Sequence, residues 1–345
     1  MKSHNVLVVA VRWRATLAGY FPGVLVCLVI ALAATFISGH YGGPQLLYAL
    51  LIGLAFHFVN SHSNVALGIN FCGRTVLRVG VALLGARITF AQVAQLGAAT
   101  GVLVVAGLLL TIVLGLALAR WLGCSRDQGV LTGSAVAICG ASAALAVSSV
   151  LPQTRENERF TLLAVVGVTV LSTVSMVIYP FALNALGFTA GQAGIVLGGS
   201  IHDVAQVVAA GMMLGPQAGD TATLVKLFRV MLLMPVVLVI ALLYRQAPTP
   251  KTAEAKVPLV PGFLLGFVAL VVLASLGSIT PDMAQAAGDA SRWMLVTAIA
   301  AAGVKTSFED LLKLGWRPVA MLLGETVFLA GFMVLGVLLL RIGLA

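Results

Sequence analysis

The fold class this sequence predicts is an all-α polytopic membrane protein, and three observations predict it. The 345-residue chain is 60% hydrophobic, has a mean hydropathy of +1.09, and is only 9% charged, whereas soluble domains carry roughly a quarter charged residues. Runs without Asp, Glu, Lys or Arg recur over 15–73, 88–119, 128–154, 160–202, 230–244, 257–281, 293–304 and 326–340, and several exceed the ~20 residues a helix needs to cross a bilayer. These runs are continuous rather than alternating, which argues against a β-barrel.

The elements follow in chain order. Basic residues from Lys2 to Arg14 precede an apolar stretch, Tyr20 to Ser38, that is too long for a secretory h-region and is followed by further spans. It reads as a first, uncleaved membrane helix. Spans follow near 44–60, 65–86, 98–120, 160–185, 223–245, 258–276, 290–304 and 317–340. Two more apolar segments, 128–150 and 190–214, are broken by glycine, so the expectation is about 9–11 transmembrane helices in a single integral domain over 1–345. The segment "QAPTPKTAEAKV" (246–257) has the polar Pro/Ala/Lys character of an aqueous loop. All four tryptophans, Trp13, Trp121, Trp293 and Trp316, fall at predicted span ends, as an interfacial belt requires.

The net charge of +9 arises from basic residues in short loops, a topological pattern and not a nucleic-acid footprint. Cys27, Cys72, Cys124 and Cys139 show no metal-type spacing, and three sit in apolar runs, so neither a disulfide framework nor a metal cofactor is expected. His57 and His62, five apart, are a poor match for metal ligation. The chain has neither H-E-x-x-H nor a serine-hydrolase elbow, and enzyme chemistry is not expected.

An internal echo pairs "GARITFAQVAQLG" (85–97) with "GVKTSFEDLLKLG" (303–315), each with a capping box, Thr89 with Gln92 and Ser307 with Asp310. If both broken segments cross the membrane, or neither does, the copies face opposite sides, an inverted repeat of the kind secondary transporters use. With an inside N-terminus and re-entrant segments, 13 basic residues fall in or beside cytoplasmic loops. Five (Arg87, Lys226, Arg229, Arg292, Arg341) fall outside, and Arg74 and Arg78 lie within the third span. Full crossing makes the split 11 to 7. The count favours hairpins, but a 23-residue helix also suffices to cross, so both stay open at this point.

The broken segments carry the candidate site. In the first, Gly140, Ala141 and Ser142 interrupt the apolar run; in the second, Gly198 and Gly199 are followed by Ser200, His202 and Asp203. A bland reading of such glycines is close helix packing. The functional reading is that each serine caps a new half-helix, Ser200 with Asp203 having capping-box form. Half-helix N-termini would then offer bare N–H groups to an anion at membrane depth. Asp203 is the only formally charged residue between Phe160 and Asp220. Intramembrane ionisable residues are costly and usually functional, and His202 with Asp203 reads as a protonatable or cation-coordinating pair that Gln206 borders on a helix. Arg78 could balance an anionic substrate's charge; Lys226 and Arg229, near a predicted span end, read as interfacial anchors. Glu325 stands alone in the last helix, with an arginine or Lys305 as its expected partner.

"LLGARITF", "AICGASAA" and above all "GGSIHDVAQVVAAG" resemble the YeiH-type family of bacterial inner-membrane proteins, whose members are labelled sulfate exporters. That family is similar in fold to the superfamily of cation/proton antiporters and bile-acid symporters. The resemblance covers almost the whole chain. It implies inverted repeats with crossing broken helices, a core domain, and a panel or dimerisation domain that admits a homodimer. The function expected from residues and resemblance together is secondary export of a small inorganic or organic anion, sulfate or a related sulfonate, coupled to H⁺ or Na⁺. The expected location is the inner membrane, with the N-terminus cytoplasmic. The alternative is a passive channel or structural membrane protein.

Overall fold

The computed structural model describes residues 2–42, 44–152, 154–244, 262–306 and 315–342, with the side chains of 2–18, 92, 93, 95 and 264 excepted. Every regular element among them is helical: α1 (Lys2–Tyr41), α2 (Gln45–Ala55), α3 (Ser63–Phe71), α4 (Leu77–Leu84), α5 (Phe90–Gln95), α6 (Gly97–Trp121), α7 (Arg126–Ala137), α8 (Ala141–Ser148), α9 (Arg155–Ala185), α10 (Ala190–Ser200), α11 (Val204–Leu214), α12 (Pro216–Met231), α13 (Leu233–Leu243), α14 (Gly262–Ser275), α15 (Pro281–Lys305) and α16 (Trp316–Leu339). Six stretches among them are long and apolar enough to cross a membrane: Gly19–Tyr41, Ser63–Arg87, Gly97–Trp121, Arg155–Ala185, Pro216–Leu243 and Trp316–Leu339. The chain is a multi-pass α-helical membrane protein.

Several boundaries differ from the sequence reading for local reasons. The span expected at 44–60 ends as α-helix at Ala55 and continues as a 3-10 turn over His57–Ser61. The span expected from 223 begins at Pro216, which occupies the first helical position after Gly215, whose φ of +120° suits glycine alone. The helix expected from 290 begins at Pro281, where the Thr280 side chain accepts from the Met283 amide. Trp121 and Trp316 are exposed at helix ends as expected, whereas Trp293 lies inside the longer α15. The short helix expected after Thr89 is α5. Its counterpart with Ser307 and Asp310, and the loop at 246–257, lie outside the described residues.

The chain divides into two compact units. The first comprises Met1–Arg87 and Gly266–Thr306. Glycines let its backbones meet: a Cβ at Gly53 would stand 2.5 Å from the Ala300 carbonyl oxygen, and one at Gly23 would overlap the Val65 carbonyl. His57 lies within hydrogen-bond distance of the Val304 carbonyl through Nδ1, at 2.8 Å.

The second unit, Ile88–Leu265 with Ser307–Ala345, holds both broken segments, and neither of them crosses. The Gln128 side chain at the start of α7 donates to Glu156 at 3.1 Å, and Asn157 donates to Asp127 at 3.1 Å. At the end of α8, Thr161 donates to Ser148 at 2.9 Å. Both ends of the segment therefore lie beside the first two turns of α9, whereas 23 residues crossing as a helix would separate them by about 35 Å.

The other segment behaves alike. A Cβ at Gly194 on α10 would stand 2.8 Å from the Ala218 carbonyl oxygen, and one at Gly198 2.5 Å from that of Ala222, so α10 runs parallel to α12. A Cβ at Gly211 on α11 would stand 2.7 Å from the Gly219 Cα and 3.0 Å from the Ala218 carbonyl oxygen. The beginning of α10 and the end of α11 thus share one level. Both segments are re-entrant hairpins, which corrects the crossing helices implied by the family resemblance.

The hairpins enter from opposite ends of the unit. The α7–α8 hairpin opens at the start of α9 and the α10–α11 hairpin follows its end. These lie 31 residues, or about 46 Å, apart. The α12–α13 pair joins the same two levels: its start packs on the open end of the second hairpin, and Tyr244 after its end donates to Asp127 at the open end of the first, at 3.0 Å. The two hairpins are therefore inverted relative to each other within this unit, while most of the 303–315 copy of the expected repeat lies outside the described residues.

Candidate functional site

The two hairpin tips meet. The first tip turns at Ile138–Gly140, where Gly140 adopts φ +64° and ψ −126°, a conformation that L side chains avoid. The second turns at Ile201–Asp203. A Cβ at Gly140 would lie 3.0 Å from an Asp203 carboxylate oxygen and 3.4 Å from the His202 Cβ. The Asp203 amide donates to Ser172 Oγ at 3.0 Å, midway along α9. The site therefore sits near the middle of a helix long enough to span a bilayer.

Each tip has a carbonyl end and an amide end. The carbonyl ends are the last turns of α7 and α10, whose final C=O groups have no partner within their own helices. Two cations on α12 take them. Lys226 Nζ donates to Ile138 O at 2.7 Å and to Ile201 O at 3.0 Å. Arg229 uses all five of its N–H groups: Nε to Ala137 O (3.1 Å), one terminal nitrogen to Gly198 O and Ile201 O (3.0 Å each), the other to Val136 O (3.0 Å) and Ala137 O (2.8 Å). Both side chains are buried, at 0% and 1% exposure. Burying a charge costs several kcal/mol unless partners offset it, and here two helix C-termini, with their negative dipole ends, supply them.

These two residues correct the sequence reading, which placed them at a span end as interfacial anchors. Because α12 begins at Pro216, both lie deep in the unit. The available signal was two basic residues three apart on one helix face beside Gly219 and Ala222, with no acidic partner in reach along the helix.

The amide ends are the starts of α8 and α11. Neither has a side-chain cap: the N-cap of α8 is Gly140, and Asp203 at the N-cap of α11 makes no capping bond. The first-turn amides of Ala141 and Ser142, and of Val204, Ala205 and Gln206, have no acceptor within their helices, whereas that of Ala143 faces the Cys139 thiol.

Several expected details are corrected. Gly198 and Gly199 do not break the chain; they lie inside α10, where a side chain would collide with Ala222 and Val225 or with Met333. Their role is close packing. Ser200 does not cap α11 either, because it is the last residue of α10 and donates to the Val196 carbonyl at 2.6 Å. Ser142 is the second residue of α8, exposed, and Gly140 holds the cap position. Arg78 belongs to the first unit and is exposed there.

His202 and Asp203 turn to different partners. His202 is fully buried, and its Nε2 lies 3.0 Å from Thr326 Oγ1. That hydroxyl donates to the Leu322 carbonyl at 2.6 Å, so the imidazole is the donor to it. Among the described residues, His202 Nδ1, Gln206 Oε1 and Ser134 Oγ are buried polar atoms without a hydrogen-bond partner, grouped on or near the two tips. Asp203 stays half-buried against Gly140. Among the described residues Glu325 pairs with no arginine or lysine; it accepts from Thr132 Oγ1 at 2.7 Å.

A family model described as conserved hypothetical protein 698 matches residues 22–322. The UPF0324 membrane protein TauZ of Paracoccus pantotrophus is 50% identical over 329 residues, covering 95% of this chain and 97% of its own length. The UPF0324 membrane protein CT0845 of Chlorobaculum tepidum is 49% identical over 312 residues, with coverage of 90% and 87%. A Corynebacterium glutamicum UPF0324 membrane protein is 30% identical over 330 residues, covering 94% of each chain.

Proposed function

This chain belongs to the conserved hypothetical protein 698 family of membrane proteins, and we propose that it is a secondary active transporter that exports a small oxyanion such as sulfate or a sulfonate. The observation that carries the reading is the meeting of two hairpin tips whose amide ends are uncapped while their carbonyl ends are tied to Lys226 and Arg229. Irregular backbone at membrane depth is tolerated only where it is buried in protein or lines a cavity, and amide-rich helix starts favour negative charge.

Two fixed cations beside one half-buried carboxylate, Asp203, leave the tip region with a surplus of positive charge that suits an anion. The carbonyls that could wrap a sodium ion already accept from Lys226 and Arg229, which favours H⁺ over Na⁺ as the coupling ion. Asp203 and His202 lie where protonation would alter substrate affinity, and transport follows alternating access about the tips.

Orientation follows from the same cations. With Lys226 and Arg229 in the protein interior, the basic residues assigned to the outer side reduce to Arg87, Arg292 and Arg341, so the positive-inside rule favours a cytoplasmic N-terminus in the bacterial inner membrane more strongly.

The reading is tested with purified protein in liposomes, offered a panel of sulfate and sulfonates under imposed pH and Na⁺ gradients. Gradient-driven accumulation of one anion is expected. Passive equilibration indifferent to any gradient would favour a channel instead.

A further inference from the structure

We propose that Glu325 is a proton-carrying site of this protein, separate from the His202–Asp203 tip. This rests on the transporter reading and names the coupling ion as a proton and its carrier as a carboxyl on α16. Glu325 is the tenth residue of a 24-residue spanning helix and is fully buried. Oε1 accepts from Thr132 on α7, and Oε2 has no hydrogen-bond partner among the described residues. Gly115 on α6 makes room for it, since a Cβ there would lie 2.8 Å from Oε1.

The helices packed on α16 are α6, α7, α9 and α10. Their titratable side chains are Arg120 on α6, Arg126 and Asp127 on α7, and Arg155, Glu156, Glu158, Arg159 and Tyr179 on α9; α10 has none. None of these makes a hydrogen bond or ion pair with Glu325 among the described residues. Along α16 itself the other titratable residue is Arg317, near its start, and His202 reaches this helix at the adjacent Thr326.

A carboxylate with no counter-charge among the described residues is costly in such a place, and taking up a proton removes that cost. Satisfying Thr132 does not require Glu325, because that hydroxyl also reaches the Gln128 carbonyl of its own helix at 3.1 Å. The placement suggests how a proton could come and go. Glu325 touches the arm of one hairpin, while Thr326 beside it touches the tip of the other. A shift of the hairpins against α16 would therefore change the surroundings of the carboxyl. In one state the carboxylate takes H⁺ from water to become the acid; in the opposite-facing state the acid returns that H⁺ to water.

The test uses the full-length protein in liposomes with dicyclohexylcarbodiimide, which modifies protonated carboxyls in apolar surroundings, read by peptide mass spectrometry. Glu325 is expected to be modified, with modification declining as the buffer is made alkaline. No modification at any pH, or equal modification at every pH, would overturn the proposal, the latter marking a permanently protonated structural acid. Glu325→Gln keeps shape and the acceptor for Thr132 but cannot carry a proton. With radiolabelled sulfate, this variant is expected to retain counterflow and to lose accumulation driven by a pH gradient. Gradient-driven accumulation intact in Glu325→Gln would overturn the proton role while leaving the transporter reading standing; counterflow absent from wild type and variant alike would overturn both.

Discussion

Asp203 stands against Gly140: a Cβ on the glycine would come within 3.0 Å of the carboxylate oxygen, where the two hairpin tips touch. The φ of +64° at Gly140 adds a second obstacle to any side chain. Gly140→Ala therefore has to strain the backbone and displace Asp203, for a loss of about 1–3 kcal/mol. Thermal unfolding in detergent should show the loss, together with impaired transport.

Arg229 satisfies four carbonyls from both hairpins at once. Arg229→Ala leaves those of Val136, Ala137 and Gly198 without it, while Ile201 keeps Lys226, and the expected destabilisation is about 3–5 kcal/mol, read as a lower unfolding temperature and poor membrane yield. Arg229→Lys should recover little of it, because an ammonium cannot reproduce the planar fork.

Lys226 bridges Ile138 and Ile201, one carbonyl from each tip. Removing its ammonium in Lys226→Ala frees the Ile138 oxygen and leaves that of Ile201 to Arg229 alone, at the spot where a small cation would fit. Sodium is expected to stabilise this variant thermally and to leave the wild type unchanged. Equal effects of sodium on both would argue against the idea that the lysine occupies a cation's place.

The hairpin topology predicts labelling sides. In a background without native cysteines, Arg126→Cys and Arg155→Cys, both at exposed positions, should react with an impermeant maleimide from the same side. Gln217→Cys, also exposed, should react only from the other. Labelling of positions 126 and 155 from opposite sides would mean that the first broken segment crosses.

How far this was legible in the sequence depended on what sets each feature. The spans follow from hydropathy, which is local. The first break was readable because the turn needs the φ that only Gly140 supplies. The second break was placed two residues early, at a glycine pair that serves packing against α12 and Met333. The actual turn at Ile201–Asp203 carries no breaker residue; it is held by the grip of Lys226 and Arg229 on the Ile201 carbonyl, a tertiary effect. Whether the segments cross was open for the same reason. The answer rests on Asn157 meeting Asp127 and on Thr161 meeting Ser148. His202 and Asp203 stood out as costly residues in an apolar run, whereas Lys226 and Arg229 were misread because the start of α12 was set seven residues late.

The claim on which the account turns is that bare amides at the hairpin tips receive the anion, and Ala141→Pro addresses it most directly. Proline fits the first position of a helix and deletes one N–H without adding charge. Titrating sulfate into purified wild type and Ala141→Pro by calorimetry should show binding to the former and a clearly weaker affinity in a variant of equal thermal stability. Identical affinities in the two proteins would contradict the account.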